Sequence, residues 1–101
     1  MTSLKFTGEI TLDEVYSTNK STIHNSILQA ISKVYLDQEI NEIQVIKISI
    51  NEVEYLINLQ RSKFKVAIQN LISFFEEIEE YEKCQLCLNI INELNQKKEA
   101  I

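Results

Sequence analysis

Cys84-Gln-Leu-Cys87 is the one string in this chain whose residue types and spacing match known site chemistry, either metal ligation or thiol redox exchange. A structural zinc site takes four ligands, commonly two such pairs or one pair with two histidines. The chain has two cysteines and a single histidine, His24, far upstream, so a complete site in one protomer would have to recruit carboxylates or a second chain. Redox pairs sit at the start of a helix, where the dipole lowers the thiol pKa. This pair falls inside a helical pattern beside glutamates, which raise it. Reduced core thiols are therefore the expected use, with no metal and no cofactor. His24 has no Ser, Cys or Asp arranged near it in sequence, so it is expected to be a surface residue, and no catalytic residue is assigned.

Charge gives two further candidates. Arg61, Lys63 and Lys65 form the only concentrated positive patch and are the residues a phosphate-binding role would use. Against that role stands a net charge of −5, concentrated late: residues 76–101 hold seven acidic and three basic side chains. A surface of that sign repels nucleic acid and anionic membrane, so neither is expected as a partner. Glu76, Glu77, Glu79, Glu80 and Glu82 lack the glycine-bearing turn of a calcium loop and read as a solvated tip suited to a basic protein surface. One glycine in the whole chain rules out a phosphate-cradling loop, and no nucleophile, base and oxyanion donor can be assembled, so an enzyme is not expected.

The elements that must position these residues follow from periodicity. Leu4, Phe6, Ile10 and Leu12 alternate with polar residues and predict a strand with Gly8 in its middle. Thr11 with Glu14 offers a capping box opening a short helical turn through Val15 and Tyr16 instead. Asp13 to Lys20 reads as a polar turn. Ser21 or Thr22 then caps a helix whose inward residues are Ile23, Ile27, Leu28, Ile31, Val34 and Tyr35, fading near Asp37. Ile43 to Ile50 is a second strand, and the adjacent Val45 and Ile46 require either two covered faces or a bulge.

Asn51 with Glu54 three residues on carries the signature of a helix start. Val53, Ile57, Phe64, Ile68, Leu71, Phe75 and Ile78 then advance at helical spacing, which predicts a helix of about 40 Å from Asn51. Beyond Ile78 the apolar positions slip by about 100°, at the acidic run, which predicts a break around Glu77 to Glu80 and an antiparallel hairpin. In the last helix Leu86 and Ile90 lie off the stripe of Cys84, Leu88 and Ile91, so two apolar faces are expected there, the second packed against a sheet or helix of the same chain or against a second copy.

Glu79-Glu80-Tyr81-Glu82-Lys83-Cys84, followed by Leu88 and Ile91-Asn-Glu-Leu94, resembles the inter-helix junction of two helical-hairpin families, the UVR-type hairpin and a single tetratricopeptide-like unit. The likeness covers about a quarter of the chain; Leu88-Asn89 stand where the UVR-type pattern usually has Arg-Asp, and no second copy recurs near the tetratricopeptide period of about 34. What the resemblance implies is local: Tyr81 and Cys84 wedged where two helices meet.

At 101 residues, 45% hydrophobic and 25% charged, the chain is one domain able to bury a core. No apolar run approaches the ~20 residues of a membrane span, and the N-terminus lacks a secretion-signal layout, so a cytoplasmic location is expected. The wealth of Ile, Asn, Lys and Glu fits an AT-rich bacterial or phage genome. The expected fold is α+β and mainly helical, with a strand–helix–strand part over residues 1–50 and a long antiparallel helical hairpin over residues 51–101. The expected function is a non-enzymatic protein-interaction module, an adaptor, inhibitor or assembly factor. Leu86, Ile90 and Leu94 with Glu76, Glu77, Glu79 and Glu80 would form its contact surface, and self-association into a dimer is expected. The alternative is an accessory factor of nucleic-acid machinery using Arg61, Lys63 and Lys65.

Overall fold

Gly8 and Asn51 together decide where the sheet begins and ends. In the computed structural model, which describes residues 2–99 and side chains as far as Gln96, strand β1 runs Thr2–Phe6 and then leaves the sheet through Gly8 at φ 101°. Thr11 opens helix α1, Leu12–Thr18, its hydroxyl accepting the Glu14 amide at 3.2 Å. The helical alternative is thus the one realised, with the Glu14 carboxylate accepting from the Thr11 hydroxyl at 3.4 Å. The strand does not reach Leu12, and the stretch read as a polar turn is α1 and the start of α2, Lys20–Val34. Strand β2 is Glu42–Ile50 and pairs with β1 in parallel, Thr2 opposite Ile46 through Phe6 opposite Ile50.

The long helix expected from Asn51 does not start there. Asn51 and Glu52 lie in the left-handed region at φ 50° and 71° and form a two-residue hairpin turn into strand β3, Val53–Gln60, antiparallel to β2. The Asn51 side chain, which would have capped a helix, is occupied elsewhere: its Oδ1 accepts the Gly8 amide at 2.9 Å and its Nδ2 donates to the Gly8 carbonyl at 2.8 Å. Glu54 pairs across the strands with Lys47 at 3.1 Å. The sheet order is β1-β2-β3. A register shift between Gln44 and Ile46 opposite β3 marks a bulge at Val45, which lets Val45 and Ile46 both enter the same core.

A single 3-10 turn, Arg61–Lys63, leads into helix α3, Phe64–Glu77, and α4, Tyr81–Glu99. The hairpin therefore starts at Phe64 rather than at residue 51, while its break falls where the phase slip put it; Ala100 and Ile101, assigned to it from sequence, lie outside the described residues. The class is α+β and mainly helical, a three-stranded sheet followed by a C-terminal helical hairpin.

Two apolar clusters hold these parts together. Val15, Ile23, Val45, Ile46 and Ile48, with Leu4 and Phe6 against them, fix α1 and α2 on one face of the sheet. Leu28 and Ile31 of α2 meet Phe64, Ile68, Leu71 and Phe75 of α3 and Cys84, Cys87 and Ile90 of α4 in the other. The α3 residues recur at four, three and four, one stripe of a helix.

Candidate interaction surface

Alternation along the paired strands assigns each side chain to a face. Leu4 and Phe6, then Ile46, Ile48 and Ile50, point to the face covered by α1 and α2. Cross-strand register puts Ile57, Tyr55 and Val53 of β3 beside those isoleucines, on the same face. The helices stop short of them: Val53 is 55% exposed, Tyr55 38% and Ile57 41%. Only Leu59, nearer the end of β3, reaches the clusters. The opposite face carries Lys5, Lys47, Ser49, Glu54 and Asn58, with one apolar exception, Leu56, 54% exposed. Strand β3 is also an edge strand, unpaired on its outer side among the described residues. Sequence reasoning missed this surface because it placed Val53 and Ile57 on a helix; the competing period-two series Val53, Tyr55, Ile57, Leu59 was the signal available.

The surface assigned to α4 is smaller than expected. Ile90 is fully buried in the hairpin core and Leu94 is half-buried against it, so neither stands ready for a partner; Leu86 is partly exposed. Cys84, Cys87 and Ile90 take the inward stripe, which leaves Leu86 and Leu88 on opposite flanks and Gln85 and Asn89, hydrogen-bonded at 3.1 Å, on the outside. One face of α4 is apolar, and α3 occupies it. Of the wedge implied by the hairpin resemblance, Cys84 holds its place, its Sγ 3.7 Å from the Ile72 carbonyl, whereas Tyr81 is 63% exposed.

Most of the acidic run is exposed at the tip of the hairpin. Glu76, Glu77, Glu79 and Glu82 are exposed around the α3–α4 junction beside the exposed Ile78 and Tyr81. Glu80 instead pairs with Lys83, whose ammonium lies 5.4 Å from the Phe75 ring centre.

The basic patch is not a cluster of available cations. Arg61 turns back to the C-terminal end of α2, its Nε donating to the Ile40 carbonyl at 2.6 Å and its terminal nitrogens to Val34 at 3.0 Å, to Tyr35 at 3.3 Å and to Asp37. A positive group there adds a donor to the carbonyls around the helix end, where Val34 and Asp37 also accept the amides of Asp37 and Ile40, and it opposes the negative end of the dipole. Its other side rests 5.0 Å from the Phe64 ring centre. Arg61 is therefore withdrawn from phosphate contact, and Lys63 and Lys65 alone remain exposed.

The groups that could do chemistry are similarly engaged. Cys84 and Cys87 are both reduced and buried. Burial, then the Glu76 charge, raises the Cys84 pKa, and burial with Cys84 alongside pushes Cys87 up to about 11. His24 is not a plain surface residue: its Nε2 lies 3.1 Å from the Tyr16 hydroxyl and its ring meets Phe74 edge-on at 4.1 Å. Burial, helped by Lys20, lowers its pKa below 6.5. Among the described residues no group of three or more His, Cys, Asp or Glu side chains is placed to hold a metal ion.

Comparison with family models, curated proteins and solved structures finds no match to this chain in any of the three.

Proposed function

We propose that this protein is a small non-enzymatic protein-interaction module, an adaptor, inhibitor or assembly factor of a bacterial or phage cytoplasm, whose partner completes its sheet. The observation that carries the reading is the core-side register of β3: Val53, Tyr55 and Ile57 continue the face that α1 and α2 cover elsewhere, yet stand 38–55% exposed. Aligned apolar side chains on an unpaired edge strand are a liability in an isolated domain and an asset in an assembling one. Covering them contributes about 25 cal/mol per Å² of apolar area removed from water. The acidic tip would steer the encounter with a basic partner. Self-association is the simplest way of completing the sheet. No helix among the described residues is long and apolar enough to cross a membrane.

What supports a non-enzymatic reading is the state of the reactive groups, two buried thiols with raised pKa and a histidine lodged between rings. No observation favours the nucleic-acid alternative, because the strongest cation of its patch is spent on α2. The test is a double variant, Tyr55→Lys with Ile57→Lys, compared with Leu86→Glu. The first is expected to keep the circular dichroism of the wild type while losing association with itself and with proteins recovered by the tagged wild type. Leu86→Glu is expected to keep both. A wild type that binds nothing, or a β3 variant that binds all the wild type binds, would overturn the reading.

A further inference from the structure

Strand β3 can meet a second copy of itself in register without conflict. The two-residue loop makes Ile50–Val53 the closing pair of the β2–β3 hairpin, and such closing pairs exchange their backbone hydrogen bonds. Alternation then turns the amides of Val53, Tyr55 and Ile57 toward β2 and those of Glu54, Leu56 and Asn58 outward. We propose that two copies of the chain pair antiparallel through β3, about a two-fold axis passing between Leu56 and its counterpart in the second copy, so that the three-stranded sheet is doubled into one continuous sheet. This deepens, and rests on, the interaction reading above.

Four observations converge on the second copy and on this register. With Leu56 opposite Leu56, the outward-pointing residues meet as hydrogen-bonded pairs, Leu56 with Leu56 and Glu54 with Asn58, so no like charges oppose one another. Leu56, the apolar exception on a polar face and 54% exposed, is buried against its own copy at the centre of the seam. On the core side Tyr55 faces Ile57 and Val53 faces Leu59, aromatic and branched pairs of the kind that stabilise sheets. The eight residues of β3 hold a single charge, Glu54, and no proline, lysine or bulge blunts that edge. By contrast β1, the other edge, is five residues long, carries Lys5 and ends at the Gly8 turn.

Sedimentation velocity on the full chain, from about 1 to 200 μM, tests the seam. The wild type is expected to be a dimer in that range, and Leu56→Lys is expected to weaken it by about a hundredfold or more, since it sets two ammonium groups face to face. Asn58→Lys and Asn58→Glu test the register. The first places a cation against Glu54 of the second copy and is expected to tighten the dimer roughly threefold to tenfold, and the second to weaken it by a similar factor. Both positions are exposed, and circular dichroism checks that the fold is kept. A monomeric wild type across the range overturns the proposal, as does a dimer indifferent to Leu56→Lys or shifted in the same direction by both Asn58 variants. In those last two cases the seam fails, while the interaction reading stands or falls separately with the Tyr55→Lys, Ile57→Lys variant. A wild type that is monomeric and also recovers no partner removes both.

Discussion

A guanidinium placed at the end of a helix can serve several carbonyls at once, and Arg61 reaches those of Val34, Tyr35, Asp37 and Ile40, of which Val34 and Asp37 also accept backbone amides. Arg61→Ala removes a charged donor from all four carbonyls at once and is expected to cost about 2–3 kcal/mol in urea denaturation. Arg61→Lys is expected to recover less than half of that, because an ammonium cannot span four acceptors held in a fork. His24 makes an acid-sensitive contribution to stability. Its folded pKa lies below 6.5 because of burial and then Lys20, so the unfolded chain takes up the proton first. The sign follows: its contribution is full above the unfolded value, lost as pH falls below about 6.5, and levels off once pH passes the lowered folded value. Thermal melts of the wild type are expected to drop between about pH 7.5 and 5.5, and those of His24→Gln to change much less. A wild-type profile as flat as the variant's would contradict the lodged, neutral imidazole.

The break between α3 and α4 shows an element ended without the usual residue. Glu80 donates its amide to the Phe75 carbonyl at 2.9 Å and Glu79 to that of Glu76 at 3.1 Å, the two bonds of a Schellman ending. The residue that must then be left-handed is Glu79, at φ 59°, where glycine is ordinarily found. Glu79→Gly is expected to stabilise the protein by about 1 kcal/mol, raising Tm by several degrees, since it relieves that conformation and removes an acid from the negative end of α3. A fall in Tm would contradict the assigned ending. The phase slip made this break legible in sequence, and alternation made β2 legible, since each pattern fits one period only. Residues 53–60 satisfy two. Val53 and Ile57 continue a helical stripe while Val53, Tyr55, Ile57 and Leu59 continue a strand, and Asn51 begins a helix or a left-handed turn equally well. Long-range partners decided it: Gly8 takes the Asn51 side chain and β2 takes the strand. Arg61 was opaque for the same reason, since its acceptors lie 21 to 27 positions upstream.

At the scale of the molecule, a flat body of 49 × 32 × 17 Å has α1 and α2 over β1 and β2 and leaves Val53, Tyr55 and Ile57 of the third strand exposed, with only Leu59 of that face reaching the clusters. Apolar surface is thus left open on the sheet, and on the terminal helix only at the flanking Leu86 and Leu88, because Cys84, Cys87 and Ile90 fill its inward face against α3. The balance of forces is simple: α3 and α4 pack on each other, while β3 has a paired inner edge and, among the described residues, an unpaired outer one. Amide hydrogen exchange followed at low and high protein concentration addresses β3 residue by residue. The amides of Glu54, Leu56 and Asn58 are expected to exchange rapidly when dilute and to become protected as concentration rises, while those of Tyr55 and Ile57, already bonded to β2, are expected to be slower from the start. Protection that appears with concentration on α4 while the outward β3 amides stay unprotected would contradict the account.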